Sequence, residues 1–362
     1  MAQTDFSRLE ETEKVVWARD SWKVARDNSV MMRYVGDDPG SMVQRVKELT
    51  KTEKGAKAII TLVYDLEGDG VAGDRRLKGN EDTQSLSQQE IVIDQLRNAE
   101  INEGRMSEQK SVVNFRKTAR DALGYWLAER MDQMFFLTLS GVQYTMNNNG
   151  TTRVGSDLPY LDYAPGADKA PTTNRYLVWD STGFGVNSAN TDLVAADTPT
   201  WQMLVEAKAY AKENYIKPIR GGNGMEVYNV FMTPTALAKL KLDSDFLAAW
   251  RSAMPRSANN PLFKGAEVIY VDGLAIYEDR RTYHSSTWGS GAVAGCRTLI
   301  CGAQALGFAD IGMPYWVEEG EDYENQQGIS VGKIFGMMKP QFLGKTSGTL
   351  EDFGVLCIDH AQ

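Results

Sequence analysis

The chain has 362 residues, with 39 Lys and Arg against 48 Asp and Glu for a formal net charge of −9, and 42% of it is hydrophobic. That length suits about two ordinary domains with a sizeable core, and the composition excludes a disordered chain or a small stapled scaffold. The acidic balance excludes a global electrostatic grip on nucleic acid. No apolar run approaches the roughly 20 residues that cross a bilayer, so no membrane partner is expected.

The start MAQTDFSRLE carries neither a basic nor an apolar leader, so the chain is expected to stay in the compartment where it is made. From Phe6 to about Val35, charged pairs alternate with Val15, Val16, Trp17, Trp22 and Val24 in a pattern that is only partly helical. So short a segment cannot build its own core, so its tryptophan-bearing side must be covered by the main body or by a neighbouring chain. Gly36 to Gly40 form a turn, and Ser41 with Gln44 gives a capping-box signal for a short helix through Leu49.

Ala58 to Leu66 and Glu90 to Leu96 read as the two legs of an antiparallel ribbon. Between them runs EGDGVAGDRRLKGNEDTQSLSQQ, a polar span too long for a compact domain unless it has a task, such as reaching another subunit. A lone two-stranded ribbon is marginal in water and calls for a surface to lie against. The residues singled out for such contacts are Asp69, Asp74, Arg75, Arg76, Lys78 and Glu81 in the loop, with Trp17 and Trp22 in the arm.

A single unbroken helix is expected from Ser107, its N-cap, to Ser140, with Val112, Phe115, Ala119, Leu123, Trp126 or Leu127, Met131 and Met134 on its core face. Gly141 supplies the stop. Residues 144–198 read as loop-rich. Thr198 and Pro199 open a second helix carrying Met203, Ala207 and Tyr210 or Ala211.

Beyond Arg220 the pattern is that of a mixed α/β unit. Val227 to Met232 is a strand, Thr233 and Pro234 start a helix with Leu237, Leu240, Phe246, Leu247 and Trp250, and Asp272-Gly273 joins two hairpin strands. Arg297 to Cys301, Ile329 to Met338 and Val355 to Asp359 are further strands.

Chemistry-bearing motifs are few. Asp65, Glu67, Asp69 and Gly70 resemble the start of a calcium loop, but Arg76 stands where the closing Glu should be. Ser107 and Lys110 have an acyl-enzyme spacing without its companion motifs, so helix capping explains Ser107 better. His284 and His360 read as surface or turn residues, and Gly289, Gly291 and Gly295 as a loop that misses the dinucleotide spacing. Cys296, Cys301 and Cys357 read as buried reduced thiols. The acidic run Glu318, Glu319, Glu321, Asp322 and Glu324 reads as a solvated rim that can also meet basic residues of a neighbour. No catalytic residue, metal or cofactor is implied.

Three stretches together carry a family resemblance: LEGDGVAGDRRLKGNED, IDQLRNA and GRMSEQKSVVNFRKTARDALGYWLAERMDQMFFLTLSG. Their order resembles the major capsid proteins of tailed bacteriophages, in particular the family of the N-four-like phages. VFMTPTALAKLKLDSDF and GISVGKIFGMMKPQF resemble the same family's axial-domain helix entry and return strand.

The resemblance implies an α+β tailed-phage major capsid fold. Residues 1–55 would be an N-terminal arm, 56–105 an extended loop, 106–215 a peripheral domain with a spine helix, 216–328 an axial domain, and 329–362 a return to the peripheral domain. It implies a structural subunit, not an enzyme, assembling with itself as pentamers and hexamers into an icosahedral virion capsid around double-stranded DNA, which it does not bind by sequence. Assembly is expected in the bacterial host cytoplasm. Separate scaffolding, portal and decoration proteins are the expected further partners. The alternatives are an encapsulin-like compartment of the same fold or, more remotely, a metal-dependent hydrolase using the acidic loop.

Overall fold

The structure, a computed structural model, describes residues 7–47, 55–63, 70–81, 86–110, 114–186, 189–220, 224–253, 268–289, 291–323, 325–343 and 348–362. The carboxylates Asp65, Glu67 and Asp69 of the calcium-like stretch lie outside them.

The N-terminal segment is a full helix, α1 (Ser7–Asn28), where a partly helical arm was expected. Its consecutive Val15, Val16 and Trp17 blur the apolar face in the sequence, and tertiary contact settles the matter. Trp22 and Ala25 are buried, and Gly124 lets the Ser21 carbonyl come within 3.1 Å of the place a Cβ would take. After a 3-10 turn at Met31–Arg33 come β1 (Val35–Gly36) and β2 (Val43–Val46). The helix expected to start at Ser41 is therefore absent: the local capping signal loses to parallel pairing of β2 with the strand Leu306–Asp310.

The ribbon exists as β3 (Lys57–Val63) and β4 (Leu86–Val92), paired antiparallel from Lys57↔Val92 to Val63↔Leu86. Its second leg ends earlier than expected, because β5 (Asp94–Ile101) leaves it for another sheet.

The long helix is interrupted. A short α2 (Arg105–Lys110) contains Ser107, and α3 (Phe115–Ser140) starts at its own cap, where the Asn114 side chain accepts from the Lys117 N–H at 3.1 Å. Ser107 is thus inside α2 and does not open it. At the other end Gly141 adopts φ 63° and stops α3 as expected.

Next come α4 (Ala164–Ala167), the hairpin β6 (Tyr176–Asp180) and β7 (Gly183–Val186), and α5 (Trp201–Glu213). Thr200 caps α5 by accepting from Met203, so Pro199 precedes the helix instead of opening it. Then follow β8 (Ile219–Arg220), β9 (Glu226–Met232), α6 (Pro234–Leu242), capped by Thr233, and α7 (Ser244–Ala253). The single helix expected from Pro234 is two, because Asp243 turns extended and its carboxylate accepts from the Phe246 N–H.

The remaining strands are β10 (Val268–Val271), β11 (Leu274–Glu278), β12 (His284–Trp288), β13 (Val293–Cys301), β14 (Leu306–Asp310), β15 (Tyr315–Glu321), β16 (Gln326–Met338), β17 (Gln341–Leu343), β18 (Leu350–Asp352) and β19 (Val355–Ala361). Asp272 and Gly273 turn β10 into β11 with φ of 48° and 73°, the left-handed pair of a tight hairpin.

Two sheets organise the chain. A six-stranded sheet runs β1-β2-β14-β16-β15 with β5 also on β16, and a nine-stranded one runs β10-β11-β9-β13-β19-β6-β7 with β12 and β8 attached. The boundaries drawn at 216 and 328 cut across this pairing. β14 and β15 belong with β16, while the last strand, β19, lies between β13 and β6. Pairing between strands so far apart in sequence leaves no local trace in either partner.

Helix α3 packs between the sheets in a core with Phe135, Phe136, Phe231, Phe308 and Phe335, and a second core lies between α5, α6 and the nine-stranded sheet. All three cysteines are buried and free.

Candidate assembly surface

The β3–β4 ribbon is seated on the body at its root. Ala58, Ile60 and Ile91 share one face of the ribbon and pack with Val46, Ala309 and Met338. The seat is cut into the six-stranded sheet by glycine: a Cβ on Gly336 would stand 2.1 Å from the Val92 carbonyl oxygen, and one on Gly307 would stand 2.9 Å from Ile91 Cδ1. Gln89 adds a two-way bond with the Gln341 backbone, its Oε1 accepting from the Gln341 N–H at 3.1 Å while its amide donates to the Gln341 carbonyl. Lys57 and Glu90 pair on the outer side.

Beyond this root the ribbon leads to a loop whose described residues, 70–81, are all exposed apart from half-buried Val71. Gly70, Gly73 and Gly79 take positive φ and allow the turns. The loop holds its own shape at one end, where Glu81 accepts from the Gly79 N–H at 2.7 Å and the Asn80 amide donates to the Arg76 carbonyl at 3.0 Å. Asp74, Arg75, Arg76 and Lys78 are exposed, and among the described residues their side chains meet no counter-charge. Asp69 lies outside the described residues.

The two arm residues are placed differently from the loop residues, because the chain's own body covers them. Trp22 is buried, with the Lys333 Nζ 4.0 Å from its ring centroid. Trp17 stacks on Trp316 at 6.1 Å, and the guanidinium carbons of Arg116 and Arg120 lie 4.9 and 5.2 Å from its ring centroid. Glu318 ties this group together, accepting from Arg116 Nε at 3.0 Å and from Trp316 Nε1 at 2.6 Å. Part of the acidic run is thus committed inside the chain, while Glu319, Glu321 and Asp322 remain exposed.

Three buried ionic groups, none of them read from the sequence, tie elements of the body together. Asp132 of α3 accepts from Ser29 Oγ at 2.6 Å, from the Val30 and Met31 N–H groups at 2.9 and 3.0 Å, and from Arg281 Nη1 at 2.7 Å. Burial raises its carboxyl pKa against the pull of those donors.

Arg297 of β13 grips Asp359 of β19 with two bonds of 2.7 and 2.8 Å and donates to the Ser140 carbonyl at the end of α3. Burial works against the Arg297 charge, but Asp359 outweighs it and holds the guanidinium protonated. Lys339 and Asp352, both fully buried, pair at 2.8 Å, and Asp352 also accepts from Gln341 at 2.9 Å.

His360, expected at a surface or turn, is buried with Nε2 2.6 Å from Thr298 Oγ1. It falls in the strand β19, whose alternate residues face opposite sheet layers that are both covered. A chain-terminal position gave no hint of this.

This geometry has the form of a shell subunit: a rigid two-sheet body on a long helix, closed by its own N-terminal helix, with one charged loop held out on a ribbon. Residues 9–362 match the phage capsid protein family. The chain is 50% identical over 364 residues to the major capsid protein of Pseudomonas phage KPP25, an alignment covering 98% of this chain and 96% of that one. Among solved structures, the capsid of Ralstonia phage GP4 matches with a TM-score of 0.74 at 26% identity, over 91% of this chain and 90% of that one. The cyanophage Pam1 capsid asymmetric unit matches with a TM-score of 0.71 at 20% identity, over 92% of each chain. The chain belongs to the phage capsid protein family, and it is a structural subunit of the virion capsid.

Proposed function

We propose that this subunit builds an icosahedral shell around double-stranded DNA by occupying both pentamers and hexamers, without catalysing any reaction. The observation that carries the reading is the exposed loop 70–81 on a ribbon seated on its own body at the Ala58, Ile60 and Ile91 root. A rigid body with one adaptable projection suits a sequence that must meet neighbours at more than one angle.

In this reading α3 and the six-stranded sheet form the peripheral domain, and the nine-stranded sheet with α5, α6 and α7 forms the axial domain. The ribbon is the extended loop that reaches an adjacent copy. Helix α1 is the N-terminal arm, laid along its own α3. Separate scaffolding, portal and decoration proteins are the further partners such a shell calls for. The net charge of −9 suits a container wall that does not adhere to the polyanion inside it.

Replacing residues 70–81 by a short glycine-serine linker tests the reading. The variant is expected to give folded, unassembled chains, seen by sedimentation and electron microscopy. Normal closed shells from it would overturn the role of the loop. Purified wild-type particles are expected to contain DNA of genome length, and an enclosed enzyme in its place would favour the compartment reading.

A further inference from the structure

Among the described residues, the outward face of the β5-β16-β15 ladder is exposed. Its rows, read across the three strands, are Arg97–Gly332–Tyr315, Ala99–Ser330–Val317 and Ile101–Gly328–Glu319, with Glu321 one step further. Gly328 and Gly332 carry no side chain in the middle strand, so the face is a shallow trough. Ile101 is 55% exposed and Val317 53%, and Tyr315 stands beside them. One end of the trough is acidic, with Glu319, Glu321 and the turn residue Asp322 exposed, and the other end holds exposed Arg97.

The loop carries the matching pattern. Its flanks are acidic, but its three cations are gathered in Arg75, Arg76 and Lys78 around Leu77, which is 61% exposed, and Asp74 precedes them. The apolar centre and the sign of the charge therefore agree: Leu77 onto Ile101 and Val317, with the cations around it toward Glu319 and Glu321.

The chain's own residues 72–81 do not occupy this trough, since they are exposed. Its ribbon is rooted against Gly336 at the far part of β16.

We propose that the trough formed by Arg97, Ile101, Tyr315, Val317, Glu319 and Glu321 is the receptor for the Asp74–Lys78 segment of a second copy of this chain. The contact rests on the reading that the loop joins neighbouring subunits and specifies which surface it meets. Leu77 supplies burial, and the charges select the surface that is met, as partly exposed pairs do more through complementarity than through affinity.

Charge reversal on each side, followed by their combination, tests this. R75E/R76E/K78E and E319K/E321K touch only exposed side chains, so each unassembled chain should keep the wild-type circular dichroism and unfolding midpoint. Each alone is expected to lose closed shells, and the chain carrying all five changes is expected to recover them. A neutral loop, R75Q/R76Q/K78Q, should assemble with a yield that no longer falls as salt rises, because the pairing it lacks is the screened part. Shells of normal yield from E319K/E321K, or no recovery in the combined chain, would overturn the trough as receptor. If that happens while the glycine-serine loop still blocks assembly, the loop's role stands and only its partner surface is wrong.

Discussion

At the residue scale, the buried ionic groups decide how the subunit responds to substitution and pH. Arg297 is enclosed by Asp359, the Ser140 carbonyl and the rings of Tyr176 and Tyr283. Asp359→Asn would leave that cation buried without its counter-charge, a loss of about 3–5 kcal/mol, read as a lower denaturant midpoint of the unassembled chain. A midpoint within error of wild type would contradict the pairing.

Two other groups titrate in opposite senses. Burial lowers the His360 pKa below its ordinary 6.5, so its neutral form belongs to the fold. That contribution is complete above pH 6.5 and is lost as pH falls below it. Asp168 behaves inversely, since burial raises its pKa from 3.8 to about 6 against the Tyr144 backbone bond. Its contribution is complete below pH 3.8 and is lost as pH rises to about 6. Asp168→Asn keeps an oxygen for the Tyr144 N–H and is therefore expected to raise the unfolding midpoint at neutral pH while changing little near pH 4. His360→Gln is expected to flatten the decline below pH 6.5. Both are read from urea midpoints across a pH series, and parallel curves for variant and wild type would refute the assignment.

At the element scale, the seat of the ribbon is the decisive contact. A methyl on Gly336 would collide with the Val92 carbonyl, a backbone atom that cannot turn aside, whereas one on Gly40 meets nothing within 4 Å. Gly336→Ala is therefore expected to loosen β4, costing about 1–3 kcal/mol and exposing residues 57–92 to protease, while Gly40→Ala does neither. Equal protease resistance in the two variants would show that the seat is not needed.

This scale is also where the sequence was most and least readable. The β9 strand, the Thr233-Pro234 helix start, the Asp272-Gly273 turn and the Gly141 stop all rest on signals within a few residues, and all were legible. The strand at Val43–Val46 was not, because Ser41 and Gln44 mimic a helix start while the pairing that sets β2 into the sheet is with β14, some 260 positions away. The break before α3 had a signal in Asn114, a good cap residue, but the apolar positions on either side of it masked the gap. The loop charges were legible as exposed. The burial of Trp17 and Trp22 within the chain depends on Trp316 and Lys333, distant partners with no mark in the arm itself.

At the scale of the whole molecule, helix α3 is the element both sheets share, and the cluster at Asp132 is where the ends of the chain's design meet. Ser29, Val30 and Met31 bring the exit of α1 to it, and Arg281 brings the loop that joins β11 to β12 in the nine-stranded sheet. Glu129, one turn earlier on α3, accepts from Arg281 at 3.1 Å and reinforces the link. If this joint makes the body one cooperative unit, Trp22 in the first core and Trp179 in the second report the same unfolding transition. Asp132→Ala removes the acceptor for two backbone N–H groups and one guanidinium at once. Hydrogen bonds to charged groups are worth about 1.5–3 kcal/mol each, so the variant should lose several kcal/mol, and the loss should fall first on α1. The expected outcome is that single-tryptophan versions retaining Trp22 or Trp179 unfold together with Asp132 present and separate when it is Ala, Trp22 losing its native signal at lower denaturant. Coincident transitions in both backgrounds would mean that α1 is held by its apolar contacts alone, and the rigid body on which the projecting ribbon depends would then owe nothing to this joint.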